Sequence, residues 1–82
     1  MKVHFTRHAL QRMAKRQLLQ AWIERVIENP LRIEPDGNDP DLEHRLGIVP
    51  ELASRVLRVI VTKAEPHRVI TVHLDRKMKG KL

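Results

Sequence analysis

The sequence contains no cysteine and no tyrosine, and Phe5 and Trp22 are its only Phe or Trp residues. Without cysteine the chain has no disulfide and no thiolate metal site, which fits a reducing compartment such as the cytoplasm. Because aromatic rings are so few, base stacking of the kind used by single-strand binders is not expected. No apolar run approaches the roughly 20 residues that a membrane span needs, and no signal-peptide pattern opens the chain. We therefore expect a cytoplasmic protein without a membrane segment.

Charge is distributed unevenly along the chain, whose formal net charge is +6. Both ends are basic, whereas the segment 34–43 carries acidic side chains and no Lys or Arg. A folded domain with two basic ends can present a surface to a polyanion, whose phosphates would supply salt-dependent affinity. The alternatives are a solvated basic surface and a surface that meets an acidic protein.

The 82 residues are expected to form one domain, 1–82, that ends in a short basic tail, 76–82. A chain of this length buries only about 60 per cent of the surface that its unfolded form exposes, so the core is small. Both a monomer and a homodimer are compatible with this. The tail holds four cations and no apolar run, and we expect it to be poorly ordered in isolation.

Two amphipathic helices are predicted in the first third of the chain. Thr6 is a suitable N-cap, because its hydroxyl can accept from the free backbone N–H groups of the first turn. The first helix is therefore expected from Arg7 to about Lys15, and the second from Leu18 to about Asn29, just before a proline. The first helix has an apolar stripe of Ala9, Leu10, Met13 and Ala14, and a neighbouring polar stripe of His8, Arg12 and Arg16.

Alternation with period two predicts the strands. The two core strands are Arg55–Thr62 and Arg68–Leu74, which are rich in Val and Ile and joined by a short hairpin connection. Shorter strands are expected at Lys2–Phe5, Arg32–Glu34 and Glu43–Val49, the last two on either side of an acidic turn. The side chains expected to face the helices are Leu57, Val59, Val61, Ile70, Val72 and Leu74.

The opposite face of the sheet is expected to carry the polar residues of the core strands. Arg58, Thr71 and His73 share this face by strand alternation, and antiparallel pairing would bring Arg58 near His73. If Leu46 and Ile48 point toward the helices, Arg45 also joins this open face.

Several of these segments resemble a known family. FTRHALQRMAKR, a second helix ending in ENP, and the strands RVLRVIVT and RVITVHLDR are similar to an uncharacterised bacterial domain family grouped with RelE/ParE-like and BrnT-like toxins. The motif maps onto Thr6, His8, Arg12, Arg16, Val69, Thr71 and Val72. The resemblance implies an α+β fold in which a two-helix hairpin packs on one face of a small antiparallel sheet. It also implies either a messenger RNA endonuclease or an inhibitor of a protein target, usually silenced by an antitoxin.

Metal-independent RNA cleavage needs proton-transfer groups and cations that stabilise the phosphorane. His8 and His73 are the candidates for proton transfer, and Arg58 and Arg12 for charge stabilisation. The expected contacts to RNA come from Arg16, Arg45, Thr71, Arg76 and Lys77. Replacing His73 or Arg58 is expected to slow cleavage while folding stays intact.

Each candidate has an alternative without chemistry. His8 could pack or cap locally, His73 could be a half-exposed strand residue, and Arg12 and Arg16 could pair with Glu24 or Glu28. No cofactor is indicated, and the histidine spacing does not complete a metal site. Three classes stay open: a ribonuclease-type toxin, a toxin that blocks a protein target, and a plain interaction module. RNA and an acidic, antitoxin-like protein are the expected partners.

Overall fold

A computed structural model describes residues 3–82. Its helices and strands are β1 Val3–Phe5, α1 Arg7–Arg16, α2 Gln20–Glu28, β2 Arg32–Pro35, β3 Leu42–Val49, β4 Arg55–Thr62 and β5 His67–Leu74. Short 3-10 helices span Pro50–Leu52 and Arg76–Met78. The predicted α+β class is confirmed, and the ends of the elements differ from prediction by no more than two residues. Lys2, predicted to begin the first strand, lies outside the described residues.

The five strands form one mixed sheet in the order β1-β5-β4-β3-β2. The four strands β2 to β5 pair antiparallel with their neighbours. β1 instead runs parallel to β5, with Val3 opposite His67 and Phe5 opposite Val69. The expectation of a purely antiparallel sheet is therefore wrong at this edge. Two helices and three strands separate β1 from β5 in the chain, so no tight hairpin forces these strands to run in opposite directions.

Both helices contribute to one buried apolar cluster on a single face of the sheet. α1 packs against β5, and α2 packs against β3 and β4, so each helix rests chiefly on the sheet. On α1, Ala9 and Met13 are buried, whereas Leu10 is 49% exposed, contrary to its predicted place in the apolar stripe. Trp22 is half-buried against the cluster.

Thr6 fixes the start of α1 to the sheet. Its backbone is extended and its hydroxyl oxygen accepts from the Ala9 N–H at 3.1 Å, as expected for an N-cap. The same oxygen lies 3.0 Å from the carbonyl oxygens of Val69 and Ile70 in β5. One side chain thus caps α1 and joins it to the edge of β5 beyond the end of β1.

The side chains of β3 point to the opposite faces of the sheet from those considered in the sequence analysis. Leu46 is fully buried but pairs with Arg58, and it lies on the open face. Gly47 lies on the helix face, where a Cβ atom would stand only 2.9 Å from Cγ2 of Val26. Arg45 lies two residues before Gly47 in the same strand, so its side chain is also on the helix side of the sheet. Both faces of β3 carry apolar residues, so alternation alone does not choose between them.

A β-bulge between Ile60 and Val61 changes the alternation of β5. Val59 pairs with Val72, but Val61 pairs with Val69, so one extra residue is accommodated in β5. Val69 is consequently fully buried, while Ile70, predicted to face the helices, is only half-buried.

The basic tail begins with an ordered turn. The Asp75 side chain accepts from the Lys77 backbone N–H at 3.1 Å and caps the 3-10 helix Arg76–Met78. This turn packs against β4. The start of the tail is therefore held on the sheet, unlike the poorly ordered segment that was expected.

Candidate nucleic-acid interface

A pocket of about 310 Å³ opens at the end of the sheet where β5 finishes and β4 begins. It is lined by Arg16, Arg55, His73, Leu74 and Arg76. These residues come from the last turn of α1, the start of β4, the end of β5 and the turn that follows. α1 can reach this place because it lies along β5, close to the edge of the sheet. The structure therefore combines one predicted catalytic residue with two predicted RNA contacts.

His73 is half-buried in this pocket and pairs across the strands with Arg58. The predicted proximity of these two residues is confirmed. Burial lowers the pKa of His73 below its usual value, and the charges of Arg58 and Arg12 lower that pKa further. A nearby carboxylate, Asp75, opposes this effect on the pKa without reversing it. The imidazole of His73 is therefore neutral at physiological pH and able to accept a proton.

Arg12 lies one helical turn before Arg16 on the same side of α1. Its effect on the pKa of His73 shows that the guanidinium charge acts on the pocket. The Nε atom of Arg12 is buried and has no hydrogen-bond partner within residues 3–82. Buried donors are nearly always paired with protein, water or ligand, so an unpaired donor beside a pocket of cations favours an anionic ligand.

The cations of the pocket have no carboxylate partners in the described part of the chain. Within residues 3–82, the side chains that provide the cation of an ion pair are Arg25, Arg32, His44, Arg45, Arg58 and His67. The alternative to RNA binding was that Arg12 and Arg16 pair with Glu24 or Glu28. Neither arginine forms such a pair. Glu24 instead accepts from Gln20, and the neighbouring Arg25 pairs with Glu51 at 2.8 Å.

Arg58 differs from these arginines because it is fully engaged. Its guanidinium donates to Asp75 Oδ2 at 2.8 and 3.0 Å and to Glu34 Oε1 at 2.9 Å. Burial alone would lower the pKa of Arg58, but the hydrogen bonds that it donates to these two carboxylates raise it. A phosphate would have to displace both carboxylates to bind this side chain. Arg58 therefore ties β2 and the end of β5 to β4 and leaves phosphate contacts to other residues.

His44 completes this cluster on the open face. Its Nδ1 atom lies 2.9 Å from Arg58 NH1 and its Nε2 atom lies 2.7 Å from Asp36 Oδ1. Because arginine can only donate, Nδ1 accepts and Nε2 carries the proton that is donated to Asp36. Both ring nitrogens are thus occupied. His67 is also engaged, because it is 5% exposed and its Nδ1 atom lies 2.8 Å from the Thr62 carbonyl oxygen.

The remaining predicted site residues are dispersed. His8 is exposed in the first turn of α1 and does not line the pocket. Arg45 lies on the helix side, where it donates to Glu43 at 2.7 Å and to the Ile27 carbonyl at 2.6 Å, near the end of α2. Thr71 is half-buried opposite Ile60, and Lys77 is exposed in the tail turn. The structure thus gives Arg45 a structural role and does not bring His8 to His73.

Arg55 and Lys79 were not identified from the sequence. Arg55 begins β4 and lines the His73 pocket, and both residues line an adjoining pocket. The available signal was weak: one cation at a strand start and one within the basic tail. Their proximity depends on the tail turning back over β4, which strand alternation does not encode.

Neither helix within residues 3–82 has the length and apolar run needed to cross a bilayer. The same residues contain no group of three His, Asp or Glu side chains arranged to hold a metal ion.

Fold and site together define a small α+β domain with an arginine-lined pocket around a neutral histidine. The chain belongs to the family described as Domain of unknown function (DUF4258), which matches residues 5–73. The predicted membership of an uncharacterised domain family is thereby confirmed. No curated protein and no solved structure matches the chain.

Proposed function

We propose that this domain is a RelE/ParE-like, toxin-type protein that binds RNA in the His73 pocket and cleaves it without a metal ion. The observation that carries the proposal is a half-buried histidine with a lowered pKa in a pocket lined by three arginines that have no ion pair within residues 3–82. Unpaired arginines that converge on one pocket favour an anionic ligand.

Binding would rest on phosphate recognition by Arg16, Arg55 and Arg76 at the rim of the pocket. Planar guanidinium groups match phosphate oxygens in a bidentate geometry, and each such pair is stronger than a neutral hydrogen bond. Arg12 does not line the pocket, but its charge acts on His73 and would add electrostatic attraction from α1. The three arginines are exposed, so a phosphate of the RNA backbone can reach them from solvent.

In the proposed reaction, neutral His73 accepts the proton of a ribose 2′-hydroxyl. The 2′ oxygen then attacks the adjacent phosphorus, and the bond from phosphorus to the 5′ oxygen breaks. The products are a 2′,3′-cyclic phosphate and a 5′-hydroxyl, whose proton comes from solvent. The arginines stabilise the charge that develops on the phosphorane oxygens. Arg58 acts as a positioning residue, because it is bound to carboxylates and lies beside His73.

The decisive experiment measures cleavage of a fluorescent single-stranded RNA by the purified domain in the presence of EDTA. Replacing the proton acceptor should reduce the rate, so His73→Ala is expected to lower it by roughly a hundredfold or more. The matched control is His4→Ala, since His4 is exposed on β1 and does not line the pocket. Because the pKa of His73 is lowered, the rate should stay high until the pH falls below about 6.5.

Two results would overturn the catalytic proposal: no cleavage by the wild-type domain, or an undiminished rate in His73→Ala. RNA binding without cleavage would retain the binding role alone. Product analysis adds a second check, because a metal-independent reaction of this kind must leave a cyclic phosphate. A 3′-hydroxyl product would indicate a different chemistry.

The second candidate is a non-catalytic interaction module, or a toxin that blocks a protein target. It is favoured by Leu31 and Ile33, which are 61% and 52% exposed at the edge strand β2. An apolar edge of this kind is typical of a contact surface for another protein. Growth arrest that persists on expression of His73→Ala would favour this candidate. In either case the unpaired cations would suit an acidic, antitoxin-like partner.

A further inference from the structure

A second pocket, of about 270 Å³, adjoins the His73 pocket. The two pockets share Arg55, Leu74 and Arg76, so they lie next to each other at the end of the sheet. The second pocket adds Val56, Asp75 and Lys79. The ordered turn at the start of the tail places Lys79 here, beyond the cap that Asp75 provides.

The chemistry of the second pocket differs from that of the first. Half-buried Leu74 gives it apolar surface, with Val56 buried beneath, and the cations Arg55, Arg76 and Lys79 surround it. Its only carboxylate, Asp75, is already engaged by Arg58 and by the Lys77 N–H. Within residues 3–82, Lys79 has no ion pair. The second pocket thus offers apolar surface and free positive charge without a competing anion.

A ligand that fits both pockets must have two anionic groups separated by a flat, largely apolar part. A nucleic acid strand has this pattern, because each pair of consecutive phosphates is separated by a nucleoside. Arginine guanidinium planes can stack on bases, which suits a chain with so few aromatic residues. A duplex keeps its bases stacked inside the helix and cannot insert a nucleoside in this way.

We propose that the second pocket is a nucleotide subsite, so that the domain reads a single-stranded segment with two consecutive phosphates. One phosphate lies beside His73 and Arg16, the nucleoside lies against Leu74, and the next phosphate meets Lys79. This rests on the proposed RNA-binding function and specifies its ligand. It also gives the tail a defined role through Lys79.

The test is an NMR titration of the full chain with two short RNA ligands at low salt. The ligands are a mononucleotide with one phosphate and a dinucleotide with two, both 2′-O-methylated so that the attacking hydroxyl is blocked. The dinucleotide is expected to bind about tenfold more tightly, a gain typical of one added charge-assisted contact. Its logarithmic salt dependence should be steeper by about 0.7, the increment for one phosphate contact in a single strand.

Variants assign the two subsites. Lys79→Gln should abolish the higher affinity of the dinucleotide and leave the affinity of the mononucleotide unchanged. Arg16→Gln should weaken the binding of both ligands. The matched control is Lys63→Gln, because Lys63 is exposed in the β4–β5 connection and lines neither pocket. Both Lys79 and Lys63 are exposed, so neither change should affect folding.

The outcomes separate the two proposals. If the mononucleotide binds but the dinucleotide gains nothing, or if Lys79→Gln keeps the gain, the second subsite is excluded while RNA binding stands. If neither ligand binds the wild-type chain, the RNA-binding function and the subsite both fail.

Discussion

Removal of the Arg58 side chain should destabilise the fold as well as any activity. Arg58 is 13% exposed and donates hydrogen bonds to two carboxylates on different elements, Glu34 in β2 and Asp75 after β5. Arg58→Ala leaves both carboxylates, 28% and 15% exposed, without their main partner. The change also removes the donor to His44 Nδ1. From the sequence, this substitution was expected to leave folding intact. From these contacts, we expect it to destabilise the fold.

The magnitude follows from the degree of burial. Breaking a fully buried ion pair costs about 3–5 kcal/mol, and an exposed pair is worth about 0–1 kcal/mol. The partly buried cluster around Arg58 lies between these limits, so we expect a loss of about 2–4 kcal/mol. A domain of this size is stable by about 4–12 kcal/mol in total. The melting temperature should consequently fall on the order of 10–30 °C.

The assay is urea denaturation followed by circular dichroism, with Arg55→Ala as the matched control. Arg55 lies in the same strand but is exposed and has no ion pair within residues 3–82, so its loss should change stability by no more than about 0.5 kcal/mol. A double-mutant cycle with Asp75→Asn should give a coupling energy of about 1–3 kcal/mol. Stability of Arg58→Ala within about 0.5 kcal/mol of the wild type would refute the reasoning.

Two further substitutions test the packing of α2. Gly47→Ala should destabilise the fold by about 1–3 kcal/mol, because its Cβ would stand 2.9 Å from Val26 Cγ2 on α2. Chemical denaturation measures this change, and an unchanged midpoint would contradict the close contact. Leu19→Asp should stabilise the fold by about 1 kcal/mol, since the N-cap of α2 has no side-chain hydrogen bond and Leu19 is 56% exposed. A lower melting temperature for Leu19→Asp would indicate that Leu19 contributes more by packing than a new cap can supply.

Local signals predicted much of the architecture. The hydroxyl at Thr6 and the period of the following residues predicted the start of α1, and the Val-rich alternation predicted β4 to the residue. The antiparallel pairing of β4 with β5 then placed Arg58 opposite His73. These features depend on neighbours in sequence or on one short connection, which is why the sequence is sufficient for them.

Other features depend on contacts that the local pattern does not contain. The face of β3 depends on Gly47 fitting against Val26, and the burial of Val69 depends on the bulge between Ile60 and Val61. The partners of Arg58 come from β2 and from the end of β5, which are far apart in the chain. Its pairing removed Arg58 from the proposed phosphate contacts and left that role to arginines without carboxylate partners.

The parallel pairing of β1 with β5 has a consequence for the order in which the protein folds. The hydrogen bonds from Thr6 to Val69 and Ile70 join residues 63 and 64 positions apart. During synthesis β1 and α1 emerge first, yet their place on the sheet exists only after β5 has been made. The antiparallel strands β2 to β5 can assemble from neighbours, whereas docking of β1 requires closure of the longest loop in the chain. Of the five strands, β1 is synthesised before the others and should therefore be among the last to reach its native position.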